Sequence, residues 1–297
     1  MIRFIFAATF LVLFLLFSYI LFFVEWIIGK IDKRAKDYSS LRIVQWGFRA
    51  ILWIGGVKIT VKGRENIPDE AALFVGNHRS FFDILIMYVQ CKRLTGFVAK
   101  DAIEKVPSLR VWMRYLYCLF LDRKDPRAGM KTILQAIEYI KQGVSICIFP
   151  EGTRNSGEEL STLPFKEGSF KIATKTGCPI IPVSINNSAE IFENHIPKIK
   201  KTHVILEYGT PIYPNELPKE ELKFIGAKCQ KIIEDTIKAN ASLVYRDAFL
   251  STKLFLLSTV STLNMYVILC KIKSHQTRRE FISNRSKCLI VFHKNTS

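Results

Sequence analysis

Nothing in this 297-residue chain spaces its cysteines as a disulfide framework or a zinc site would. There are seven, at 91, 118, 147, 178, 229, 270 and 288, with no Cys-x-x-Cys among them. Most lie in apolar strings such as 144–149, where Cys behaves as a small hydrophobe, and the usage is that of a reducing compartment. Acidic residues are scarce too. Twenty-six Asp and Glu face 43 Lys and Arg, a formal charge of +17 that favours anionic partners: nucleic acid, anionic lipid or phosphorylated substrates. No zinc-finger spacing and no aromatic-basic ribonucleoprotein pattern accompanies the charge, so nucleic acid is set aside and a membrane surface becomes the first expectation. Internal repeats are lacking as well, and the length suits one large domain, or one domain with appendages.

Charge itself is missing at the N-terminus. From Phe4 to Val24 run twenty-one uncharged residues, enough to cross a hydrocarbon core of about 30 Å as a helix. The apolar core is too long for a signal peptide and no small-residue cleavage site follows it. Arg3 precedes the segment while Lys30, Lys33, Arg34 and Lys36 follow it, so the heavier positive flank should stay cytoplasmic with the rest of the chain. Residues 41–55 mix Ile43, Val44, Trp46, Phe48, Ile51, Leu52 and Trp53 with Arg42, Gln45 and Arg49. That pattern suits a helix in the headgroup region or an amphipathic helix on a domain surface, and its place after an anchor favours the first. Residues 1–56 therefore read as a membrane anchor with an interfacial helix, at a cell membrane.

What is present after residue 57 is alternation. Apolar runs at 57–61, 73–76, 96–99, 119–122, 144–149, 180–185 and 204–208 predict strands. Helix-like stretches fall at 81–90, 109–115, 127–142, 169–175 and 220–239, the third punctuated by Asp125, Pro126 and Gly143. The expected class is α/β, a central, mostly parallel sheet flanked by helices, over 57–240.

In such sheets ligands sit at the carboxyl ends of strands, and three polar clusters fall there. Asn77-His78 follows one strand, with Asp83 five residues past the histidine; Asp122-Arg123 follows another; Pro150-Glu151-Gly152-Thr153-Arg154 follows a third. Imidazole is the natural general base near neutral pH, and a nearby carboxylate can fix its tautomer. Five residues on a helix turn through about 140°, so His78 must sit at the loop-to-helix junction with Asp83 reaching back. Gly152 permits close backbone approach or a positive φ, exposed N–H groups there can meet an anion, and Arg154 offers a planar fork for phosphate. Pro164 to Gly168 opens a helix, so Lys166 could also face an anion. Each cluster also has a plainer reading: a strand-ending turn with Ser80 as helix cap, a glycine turn with a surface Glu–Arg pair, a solvated Arg123.

The order of the blocks, NHRSFFD, LFLDR, FPEGTRN and Ile181-Pro182-Val183, resembles the four-block signature of the glycerolipid acyltransferases, especially the 1-acylglycerol-3-phosphate acyltransferases, over roughly 57–210. One departure is Tyr117, where the family usually has Gly two residues before the apolar triplet; it bears on backbone shape and substrate detail. The resemblance implies fatty acyl transfer from a thioester, on coenzyme A or acyl carrier protein, to a glycerolipid hydroxyl, with no metal, no cofactor and no acyl-enzyme. It implies His78 as general base, Asp83 as its orienting partner, and Arg123 on the acceptor phosphate. Asn77, Glu151, Gly152, Thr153, Arg154 and Lys166 would complete the acceptor site, and Pro182 would shape the pocket. Phosphatidic acid is then the expected product and membrane lipid the expected partner. The alternatives are the same chemistry on glycerol 3-phosphate or another lysophospholipid, a silent lipid-binding homologue, or a hydrolase.

After residue 240 the character changes. Residues 254–270 are seventeen uncharged residues, marginal for a membrane span, and 271–297 carry seven Lys/Arg against one acid. No role is assigned to 241–297.

Overall fold

The computed structural model describes residues 1–121 and 125–244; the 254–270 stretch and the basic tail lie outside the described residues. Among these residues seven strands form one sheet in the order β1-β7-β6-β2-β5-β3-β4. They are β1 (Lys58–Lys62), β2 (Leu73–Gly76), β3 (Thr95–Lys100), β4 (Leu119–Leu121), β5 (Ser145–Ile148), β6 (Ile180–Asn186) and β7 (His203–Tyr208). Every pairing is parallel except β6 with β7. The central strands are covered on both faces, which is why they read as continuous apolar runs. Leu73, Val75, Ile146 and Ile180 face one cluster, Cys147, Ile181, Val183 and Ile185 the other.

The helices are α1 (Ile2–Ile31), α2 (Lys33–Gly55), α3 (Phe82–Tyr88), α4 (Pro107–Tyr115), α5 (Pro126–Lys141), α6 (Lys171–Thr176), α7 (Lys219–Leu222) and α8, helical through 225–244. The expected 169–175 helix instead enters through a 3-10 turn at Glu167–Phe170, because Glu167 is engaged elsewhere: its carboxylate accepts from the Gly226 and Ala227 N–H groups at the start of α8. Turning α5 into β5, Gly143 takes φ +82°.

α1 is long and apolar enough to cross a membrane, yet one face of it is docked. Ala7, Ser18 and Glu25 are buried in register. The Trp112 indole of α4 donates to Ser18 Oγ at 2.8 Å, and Ser39 and Ser40 of α2 donate to the two Glu25 oxygens at 2.6 and 3.0 Å. Asp32 accepts from the Arg34 and Ala35 N–H groups, so the chain reverses in one residue between α1 and α2.

α2 is amphipathic as its sequence predicts, with Leu41, Val44, Ile51 and Leu52 buried and Trp53 82% exposed. Its buried face positions the next layer. Gln45 Nε2 donates to the carbonyls of Tyr88 and Cys91 at 3.1 and 2.7 Å, at and just past the end of α3. The short helix that begins the candidate site is thus clamped at its far end by α2.

Candidate active site

β2 and β5 are adjacent and parallel, so the segments leaving their carboxyl ends, 77–83 and 149–155, emerge side by side. Asn77 is buried and locked to β6: its amide accepts from Ile185 N–H at 2.8 Å and donates to Ile185 O at 3.0 Å. This pair turns the chain out of the sheet and presents His78 at the loop-to-helix junction. Asp83, on the first turn of α3, reaches back as the spacing predicts. Its Oδ2 accepts from His78 Nδ1 at 2.9 Å and from the Arg79 and Ser80 N–H groups at 2.7 Å each. Three donors hold a fully buried carboxylate, so the imidazole it orients has little freedom. The Ser80 hydroxyl accepts from Phe82 N–H at 3.0 Å, just before α3 begins, where Phe81 is the N-cap.

With Nδ1 donating to the carboxylate, Nε2 is left to take a proton. The Phe149 ring stacks on the imidazole at 4.3 Å and 19°, and the side chain is 13% exposed. One face of the imidazole is therefore apolar.

Glu151 does not point outward. Its Oε1 accepts from His78 N–H at 2.6 Å and its Oε2 from Leu163 N–H at 2.8 Å. Burial raises its carboxyl above the usual range, and those two N–H bonds pull it part of the way back. The glutamate is a strut between the β2 and β5 loops. Gly152 has φ +73°, and a Cβ there would lie 2.6 Å from Lys166 Nζ, so the glycine makes room for that ammonium. The Gly152 N–H itself donates to Phe149 O at 3.0 Å, closing the turn. Thr153 and Arg154 are exposed. Arg154 lies with its guanidinium carbon 3.7 Å above the Phe81 ring, its side chain 38% exposed.

His78, Asp83, Asn77, Glu151, Gly152, Arg154 and Lys166 are thus brought together through these contacts. Arg123 lies outside the described residues; the strand before it, β4, is two strands from β5 at the sheet edge. Arg79 was missed in the sequence. It is buried and donates to the carbonyls of Gly157 and Glu158 at 2.8 Å each, with Glu159 at 3.2 Å, so it pins the loop after β5 under the histidine. Its position inside NHRSFFD was the available signal. Among the described residues no group of three or more His, Cys, Asp or Glu is placed to hold a metal ion.

Residues 58–186 match the family model described as Acyltransferase. The matched segment is less than half of the chain. All the site residues above fall inside it. Over 146 residues the chain is 36% identical to the 1-acyl-sn-glycerol-3-phosphate acyltransferase of Borreliella burgdorferi, a match covering 49% of this chain and 58% of that protein. Over 175 residues it is 33% identical to a probable 1-acyl-sn-glycerol-3-phosphate acyltransferase of Mycoplasma pneumoniae, covering 55% and 65%. In both, the match spans less than two thirds of the curated relative. The crystal structure of the 1-acyl-sn-glycerophosphate (LPA) acyltransferase PlsC from Thermotoga maritima superposes with a TM-score of 0.69 at 27% identity, covering 81% of this chain and 94% of that one. The mostly parallel, helix-flanked sheet is therefore shared with a solved structure.

Proposed function

We propose that this protein transfers a fatty acyl group from an acyl thioester, on coenzyme A or acyl carrier protein, to the sn-2 hydroxyl of 1-acylglycerol 3-phosphate, giving phosphatidic acid. The observation that carries the reading is the His78–Asp83 pair, oriented at 2.9 Å beside the loop that bears Arg154. His78 Nε2 takes the proton of the acceptor hydroxyl as its oxygen attacks the thioester carbonyl. Asp83 holds the imidazole and stabilises the imidazolium. Collapse of the tetrahedral intermediate breaks the carbon–sulfur bond, and His78 returns the proton to the departing thiolate, so no proton is lost or gained. Arg154, Lys166 and Arg123 supply positive charge for the acceptor phosphate, with Thr153 beside them. Asn77, Glu151 and Gly152 act by shaping the loops rather than by touching substrate.

An acceptor with a lipid tail requires the enzyme at a membrane, and α1 with its exposed Phe6, Phe17, Phe23 and Trp26 provides the apolar surface. The Lys and Arg that follow α1 favour a catalytic domain on the cytoplasmic side.

The test is transfer of a labelled acyl group to lysophosphatidic acid, glycerol 3-phosphate and lysophosphatidylcholine, with wild type, His78→Ala and Asp83→Asn. Wild type should favour lysophosphatidic acid, and both variants should lose about 10²- to 10⁴-fold in kcat while still fractionating with membranes. Turnover retained by His78→Ala would remove the base assignment. Free fatty acid in place of lipid product would show a hydrolase.

A further inference from the structure

We infer that Glu193 is the positioning residue for Arg154, an inference that rests on the acceptor-phosphate role proposed above. Glu193 lies outside the matched family segment, on the loop after β6. It crosses to the site nonetheless. Its Oε1 accepts from Arg154 Nη1 at 3.1 Å and from the Phe81 N–H at 2.8 Å. Phe81 in turn carries the guanidinium on its ring face, 3.7 Å from the centroid. Arginine is thus held from two sides: charge from Glu193, a cation–π face from Phe81. The Glu193 side chain is 14% exposed, and its buried Oε2 has no hydrogen-bond partner among the described residues, so a second guanidinium donor can be taken without rebuilding the loop.

This seat addresses a physical problem. An exposed arginine has many rotamers, and ordering one against a ligand costs side-chain entropy. Holding it on Phe81, three residues past the base, removes that cost before the acceptor arrives and keeps the cation in register with His78. Glu193 uses one of five guanidinium donors, leaving others for the anion. The loop that carries Glu193 is braced in turn, since Phe192 stacks on Phe4 of α1 at 5.6 Å and 4°.

The experiment compares wild type, Glu193→Ala, Glu193→Gln, Arg154→Ala and the Glu193→Ala/Arg154→Ala double variant in full-length protein in detergent. Two readouts are taken: acyl transfer to lysophosphatidic acid, and calorimetric binding of lysophosphatidic acid against uncharged monoacylglycerol. Glu193→Ala should raise the KM for lysophosphatidic acid about tenfold, with kcat and the KM for the thioester changed less than about threefold. Glu193→Gln, which keeps an acceptor for both donors, should fall between it and wild type. In the Arg154→Ala background, removing Glu193 should change nothing further. Full additivity of the two substitutions, or an equal loss for donor and acceptor, would overturn the inference. A wild type that binds lysophosphatidic acid in preference to monoacylglycerol, with Glu193→Ala unaltered, would overturn it alone. A wild type with no such preference would overturn the phosphate role of Arg154 and this inference with it.

Discussion

Glu151 is the residue whose chemistry departs furthest from what its motif position suggests. Sequence places it beside an arginine at a strand end, where a surface pair is the plain reading; the structure gives both its oxygens to backbone N–H groups. Its raised carboxyl has a consequence with a definite sign. Between the ordinary value of 4.5 and the raised one, the folded chain binds a proton that the unfolded chain has released, so this group's contribution to stability falls as pH rises through that window. Glu151→Gln has no proton to bind. The stability difference between wild type and Glu151→Gln, from urea unfolding in detergent between about pH 4 and 7, should therefore shrink as pH rises. It should stay in favour of wild type, since the Gln amide turns an NH2 towards one of the two backbone donors, a loss of about 1–3 kcal/mol. A difference that grows with pH would contradict the burial argument.

At the level of the element, Tyr117 shows how a departure from a motif can be absorbed. The loop between α4 and β4 passes through a left-handed residue and lies close against Gly96 of β3, where a Cβ would sit 2.1 Å from Tyr117 O. Tyr117 takes that conformation itself, with φ +59°, at a cost of roughly 1–2 kcal/mol. In return its ring packs edge-on to Tyr139 of α5 at 5.2 Å and its hydroxyl donates to the buried Asp37 of α2. The hydroxyl is held well above its ordinary range, first by burial and then by Asp37. Tyr117→Phe should lower stability by about 1–3 kcal/mol and loosen α2, read as faster proteolysis between α1 and β1. No change in either would show that the hydroxyl is not a tie.

The same scale shows what the sequence could carry. Strand positions agree with the apolar runs to within one or two residues, because a buried parallel strand must be apolar on both faces. The His-x4-Asp geometry was legible because helix pitch leaves one arrangement that brings the two together. Hydropathy reports burial and not partners, so the polar face of α1 at Ser18 and Glu25 was hidden within an apolar stretch, and Glu193 gave no local signal at all. Its role exists only because β6 lies next to β2.

For the whole molecule, charge and apolar exposure coincide. Trp26, Trp46 and Trp53 are exposed on α1 and α2, and the chain carries +17. Attraction to an anionic surface is screened within about 8 Å at physiological salt, whereas apolar insertion is not. Binding to vesicles rich in anionic lipid should exceed binding to neutral vesicles at low salt, and the gap should close between about 50 and 500 mM while a salt-resistant fraction remains. Complete release at high salt would deny α1 its insertion.

Register also sets a clock. β1 pairs with β7, about 145 residues later in the chain. A ribosome adding about 5–20 residues per second needs on the order of ten seconds to deliver that partner. Throughout the interval α1 and α2 have been made while the sheet cannot close, and His78, Asp83 and Arg154 have no complete scaffold. Whatever surface the hairpin engages, it reaches it as a passenger without cargo, and the candidate site is assembled afterwards in place.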